Sequence, residues 1–351
     1  MKSTLELTLL FNLSIYAFSR QIPQSSQEND GWNAPNLYSS MSIGTPGKDF
    51  KLLIDLHLED ALLAGPKCSS YNCQNHYKNR TIYDPSKSST SKDVGEAAKV
   101  EYGTGTVKGE YYTDTILVDG INATDVGFSV LVTGDSKFST VIYDGVLGLS
   151  FLGHTRGKKQ LPSPVDSILK FSNDKTLQMW LNQATSNDDR YGTVTFGKAN
   201  TDKCNTDTKY SSVGTDDFTF VVQKIRYATF VAHRELDAVI DPTYRYIGLP
   251  TTIYKALMRV ATGSTSSTSV YCSDLKQITL DVKIGGSYYS LKAEDFSIQQ
   301  SSSSDYCLLL VDDLGEEFET QFRLGEPFLR RYCVTYDLEN SELGFSSVKS
   351  N

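Results

Sequence analysis

Short stretches in which apolar and polar residues alternate, or β-branched residues cluster, recur along this chain between groups of Gly, Asn, Asp and Ser. Successive side chains of a strand point to opposite faces, so half-buried strands produce this period of two. The pattern predicts strands over 38–43, 49–54, 99–102, 115–118, 128–132, 193–196, 218–222 and 278–284. Apolar residues recur at three and four in only a few places, chiefly 164–171 and 251–261, which predict helices. Ser- and Thr-rich stretches at 263–269 and 301–304 read as exposed loops. The chain is therefore expected to be all-β.

Two of the apolar runs end in aspartate: Phe50-Lys51-Leu52-Leu53-Ile54-Asp55 and Leu236-Asp237-Ala238-Val239-Ile240-Asp241. Each is followed further along by an apolar run that ends in glycine, Val146-Leu147-Gly148 in the first half and Phe322-Arg323-Leu324-Gly325 in the second. This echo predicts two lobes of common architecture, each delivering one carboxylate to a shared cleft. The join falls near 197–209, where the apolar pattern gives way to polar residues, so the lobes are placed at 36–200 and 201–351. Gly148 and Gly325 are read as structural glycines that allow close packing beneath the acid pair.

With 351 residues and 39% hydrophobic content, the chain can bury a large core. A net charge of −8 and the lack of any Lys/Arg-rich run argue against a nucleic-acid partner, which is met largely through cationic side chains. The N-terminus starts basic at Lys2, continues through an apolar stretch from Leu7 to Tyr16 and ends in the small residues Ala17 and Ser19. It reads as a signal peptide over 1–19, with Glu6 keeping a buried helix as the alternative. No later stretch is long enough for a membrane span. An even count of six cysteines fits an oxidising compartment, and Cys68 and Cys73 are close enough to close a small loop. Asn79 and Asn122 begin Asn-X-Thr sequons that an exported chain would present to glycosylation. The expected destination is extracellular, with the lysosomal lumen as the alternative. His57 beside Asp55 raises the idea of a metal or nucleophile site. The other histidines, His76, His154 and His233, supply no third ligand with it, so no metal and no cofactor are expected.

Several further motifs occur in order: Ser42-Ile43-Gly44-Thr45-Pro46-Gly47, Leu53-Ile54-Asp55, Cys68-Ser69-Ser70-Tyr71-Asn72-Cys73 and Tyr83-Asp84-Pro85-Ser86. Tyr102-Gly103-Thr104-Gly105, Tyr143-Asp144-Gly145-Val146-Leu147-Gly148-Leu149 and Gly325-Glu326-Pro327-Phe328-Leu329 complete the set. In these stretches the chain resembles the pepsin-like aspartic proteases over essentially all of its mature length. The resemblance implies a bilobal all-β fold with a central cleft between two pseudo-symmetric lobes, Asp55 and Asp241 as the catalytic dyad at its floor, and a hairpin flap. In that flap Tyr102, Gly103 and Thr104 would meet a peptide or protein ligand. It also implies pairing Cys68 with Cys73 and Cys272 with Cys307, which leaves Cys204 with Cys333. A monomer is expected.

The chain departs from the family where the chemistry is done. In the family two aspartates share one proton, because like charges about 3 Å apart cannot both ionise, and together they activate a water. The family motif after each aspartate is Thr-Gly-Ser or Thr-Gly-Thr; here the same positions hold Leu56-His57-Leu58 and Pro242-Thr243-Tyr244. Neither Leu56 nor Pro242 has a hydroxyl, and Pro242 lacks even an N–H. Losing one preorganised donor typically costs ~10²–10³ in rate, so the altered loops point to a chain that binds without turning over. The family tryptophan position holds Leu62, and 20–35 is a short extension with one basic residue where the family carries a long basic prosegment. Three readings follow: a non-catalytic member that binds a ligand, an active endopeptidase with unusual loops, and a decoy or inhibitor of partner proteases.

Overall fold

The computed structural model describes residues 36–349 except 57, 69–70, 74–79, 103–104, 136–137, 140–142, 150–158, 182–190, 214–217, 276–278 and 302. The expected signal peptide and short extension lie outside the described residues, as do His57, Asn79, Gly103 and Thr104.

Alternation builds the strand that carries the first aspartate. Along Lys48–Asp55, Phe50, Leu52 and Ile54 point inward and are buried, while Lys48, Asp49 and Lys51 face water. This strand is central to a twelve-stranded sheet. The order runs Lys209–Ser212, Glu342–Ser347, Tyr332–Asp337, Thr176–Leu181, Tyr191–Phe196, Asn36–Ile43, Lys48–Asp55, Gly145–Gly148, Ala61–Ala64, Ile121–Thr133, Gly105–Val118, Lys92–Tyr102. Three of these strands come from beyond residue 200, so the sheet crosses the expected join. A second sheet of eight strands contains Leu236–Ile240, Gln321–Leu324 and Ile247–Leu249 side by side, and a third has three strands.

The echo seen in the sequence is a repeat in space. Lys48–Asp55 pairs in parallel with Gly145–Gly148, placing Asp55 opposite Gly148, and Ala61–Ala64 pairs antiparallel on the other side of that glycine strand. In the second sheet Leu236–Ile240 pairs in parallel with Gln321–Leu324, and Ile247–Leu249 pairs antiparallel on its far side. The glycine-ended strands are flanked on both sides; Gly145–Gly148 is buried throughout and Gln321–Leu324 from Phe322 on, so neither shows the alternation of a half-wet strand.

The two expected helices form at Pro164–Leu169 and Thr251–Thr262. Ser163 caps the first by accepting from the Asp166 N–H, and the second stops at Gly263, whose φ of 73° is left-handed. Cys68–Cys73 and Cys272–Cys307 are bonded as the family likeness implies, and Cys204–Cys333 is the pair those two leave over. Asn122 is exposed near the start of Ile121–Thr133. Among the described residues, no helix is long and apolar enough to cross a membrane.

Candidate active site

Each aspartate sits where its strand ends and the chain turns. The Asp55 carbonyl accepts from the Leu149 N–H at 2.8 Å, and its Oδ1 accepts from the Leu58 N–H at 3.2 Å. The Asp241 N–H donates to the Leu324 carbonyl at 3.0 Å, and its Oδ1 accepts from the Thr243 N–H at 2.9 Å and the Thr243 hydroxyl at 2.7 Å. Both loops thus fold back on their own carboxylate, as short acidic side chains do in turns.

Beneath the loops the two halves match closely. The Gly148 N–H donates to the Asp60 carbonyl at 2.8 Å and the Gly325 N–H to the Tyr246 carbonyl at 3.2 Å. A Cβ on Gly148 would collide with the carbonyl oxygens of Leu58 and Asp60, and one on Gly325 with those of Tyr244 and Tyr246. In each half these carbonyls lie three and five positions after the aspartate, so both glycines are required by close backbone approach.

Around the carboxylates the halves part. Asp241 is 2% exposed and faces Arg323, itself 5% exposed, with Nη1 3.8 Å from Oδ2, an ion pair longer than a hydrogen bond. The Arg323 guanidinium lies over the Tyr244 ring at 4.8 Å, and the Tyr244 hydroxyl donates to Asp312 Oδ2 at 2.9 Å. Burial raises the Asp312 carboxyl above its ordinary value. Burial, and then the nearby Asp312, push the Tyr244 phenol well above its own. The Tyr336 phenol is raised by burial and then by Asp241. Arg323 thus sets a buried positive charge beside the Asp241 carboxylate.

Asp55 is half-buried. Tyr102 is buried at the end of the hairpin strand Lys92–Tyr102, which pairs with Gly105–Val118. Burial, then the charges of Asp55 and Asp135, hold the Tyr102 phenol well above its ordinary value. Asp135 accepts from the Phe138 N–H at 2.7 Å. The Arg80 guanidinium stacks on the Phe138 ring at 4.2 Å, and burial lowers it to about 10. Tyr102, Leu58, Leu62 and Phe138 belong to one apolar cluster, with Leu62 filling the tryptophan position.

The Asp55 charge thus reaches Tyr102, while Asp241 is bonded to Thr243 and paired with Arg323. The structure also amends the expectation that both loops lack hydroxyl support. Thr243, at a position where the family has glycine, turns its own hydroxyl onto Asp241. On the Asp55 side the substituted residues, Leu56 and Leu58, are apolar and pack into the core. Residues that the sequence pattern did not single out are Arg323, Asp312, Asp135 and Asp60, whose Oδ2 accepts from the Ser129 hydroxyl at 2.5 Å. The signal for Arg323 was a lone charge in the apolar run Phe322-Arg323-Leu324. Among the described residues, no group of three or more His, Cys, Asp or Glu could hold a metal ion.

Comparison with known proteins places this architecture. A family model for the eukaryotic aspartyl proteases matches residues 36–348. The chain belongs to that family. Its mostly β structure in several sheets is the bilobal pepsin-like fold. It is 25% identical over 321 residues to aspartic protease 6 of Caenorhabditis elegans, covering 88% of this chain and 80% of the relative. Identity to dog renin is 26% over 325 residues, covering 89% and 79%, and to chicken pepsin A 26% over 331 residues, covering 89% and 84%. Members of that family are ordinarily aspartic-type endopeptidases that bind peptide substrates in a cleft.

Proposed function

We propose that this is an exported, monomeric member of the family whose acid pair, Asp55 and Asp241, no longer turns over peptide bonds and which acts by holding a peptide or protein ligand. The observation that carries the reading is the buried Arg323–Asp241 ion pair. A shared-proton dyad needs its two carboxyls to compete for one proton and the ionised member to take a proton from water. An arginine beside one of them weakens it as a base and removes the competition, because its charge is already neutralised. Leu56 and Pro242 add to this by leaving out the hydroxyls that brace the family dyad. Ligand contact falls to the hairpin carrying Tyr102, Gly103 and Thr104, between lobes at 36–200 and 201–351. Three disulfides, the N-terminal signal and the sequons at Asn79 and Asn122 fit a glycosylated chain in an oxidising, extracellular or lysosomal compartment.

The second reading, an active acid endopeptidase, is favoured by the Thr243 hydroxyl on Asp241 and by the reach of the Asp55 charge to Tyr102. Cleavage of an unfolded protein substrate by the purified mature chain, from strongly acid to neutral pH, separates the two. We expect no acid-dependent cleavage above that of the Asp55→Asn variant. Acid-dependent activity that disappears in the variant would establish the endopeptidase. Inactivity combined with capture of an intact protease would point to the decoy role.

A further inference from the structure

Away from the acid pair, the third sheet joins Ser269–Tyr271, Tyr306–Leu309 and Ser297–Gln299 in the order first, second, third. Its register sets Tyr271 directly opposite Tyr306. The two rings stack with centroids 4.5 Å apart and planes 30° from parallel, and the Tyr306 hydroxyl donates to the Tyr271 oxygen at 2.7 Å. Both side chains are exposed, Tyr271 at 50% and Tyr306 at 41%. Each is followed at once by one half of the Cys272–Cys307 disulfide, and the Cys272 N–H donates to the Asp305 carbonyl at 2.9 Å. Two backbones clamped on both sides leave the rings little room to part.

We propose that Tyr271 and Tyr306 form an oxidative modification site, at which a peroxidase-type one-electron oxidant using hydrogen peroxide joins them into an intramolecular dityrosine. The ring geometry supports the bond that must form. Separation falls from 4.5 Å at the centroids to 2.7 Å at the oxygens, and the carbons ortho to the hydroxyls lie between these points along each ring. They are therefore near carbon–carbon contact distance, about 3.5–4.0 Å. Each phenol gives up one electron and one proton, and the two phenoxyl radicals couple through their ortho carbons. The hydrogen on each coupled carbon then moves to its oxygen and restores both phenols. One hydrogen peroxide accepts the two electrons and two protons and becomes two waters.

Neighbouring groups do not compete for the oxidant, since both cysteines are already a disulfide. The hydrogen bond to Tyr271 raises the Tyr306 phenol above its ordinary value, so Tyr306 enters the reaction as the neutral phenol. Another tyrosine pair, Tyr38 and Tyr143, has similar ring spacing, 5.0 Å with a tilt of 33°, but is half-buried. It is the internal comparison.

The test uses the purified chain with its disulfides intact, horseradish-type peroxidase and limiting peroxide. We expect dityrosine fluorescence in the monomer and, after reduction and proteolysis, one linked peptide joining Tyr271 to Tyr306 and lighter by two hydrogens. Tyr271→Phe and Tyr306→Phe should each fold with unchanged circular dichroism, keep the stacked pair and lose that peptide entirely. Absence of dityrosine in the monomer, coupling mainly between molecules, preferential coupling of Tyr38 to Tyr143, or a linked peptide that survives either substitution would overturn the proposal.

Discussion

Arg323 and Asp241 are both almost wholly removed from water, so neither can lose its partner cheaply. Breaking a buried ion pair by removing one member leaves an uncompensated charge and costs about 3–5 kcal/mol, whereas removing both charges together often costs far less. Arg323→Met and Asp241→Asn should therefore each lower unfolding stability in urea at neutral pH by roughly this amount. The double variant should regain much of the loss, and strictly additive losses would show that the two side chains do not interact. At this scale the sequence marked Asp55, Asp241 and Tyr102 as candidates, because each closes a recognisable run. Arg323 and Asp312 were not legible as partners of the acid pair. Nothing local says that an arginine on Gln321–Leu324 meets an aspartate that follows Leu236–Ile240; the parallel pairing of those strands brings them together. Thr243 was legible as a substitution but not as a donor, because its use depends on the turn that folds it back onto Asp241.

Strand-level patterns were read best where one face of a strand meets water. Asn36–Ile43, Lys48–Asp55 and Thr279–Ile284 appear close to their expected positions. The hairpin strands Lys92–Tyr102 and Gly105–Val118 run well beyond the short segments 99–102 and 115–118, since mutual pairing extends them past their most alternating stretch. Thr176–Leu181 and Tyr332–Asp337 were not anticipated. They are buried on both faces, and a strand with no wet side shows no alternation. The expected 218–222 is displaced to Phe220–Tyr227 for a related reason, as this strand pairs with three others. The glycine-ended strands are the most demanding element in both halves. Because a methyl group on Gly148 or Gly325 would strike backbone carbonyls that cannot rotate away, Gly148→Ala and Gly325→Ala should each cost about 1–3 kcal/mol through overpacking. Matching losses in thermal or urea unfolding would show that the repeat is energetic as well as geometric; a loss confined to one half would show that it is not.

For the molecule as a whole, the twelve-stranded sheet binds residues from the beginning, middle and end of the chain into one body. The Cys204–Cys333 disulfide reinforces it by closing a separation of 129 residues, with its cysteines packed against Trp180 and Val348. Cross-links that close long loops remove much freedom from the unfolded chain, and losing a native one typically costs about 2–5 kcal/mol. Replacing both cysteines by serine should shift the urea midpoint by a corresponding amount, and an unchanged midpoint would mean that the sheet needs no such tie. By itself the sequence determined the all-β class, the two aspartate-ended strands, the glycine-ended strands beneath them and the family likeness. All of these follow from local periodicity, from residues that only one backbone geometry accepts, and from motifs in order. Tertiary structure alone decided that strands past residue 200 complete the first sheet, that the Asp55 charge reaches Tyr102, and that Asp241 is held by Arg323 beside Tyr244 and Asp312. Those outcomes depend on which distant strands pair and on the charges buried between them, quantities that no short window of residues contains.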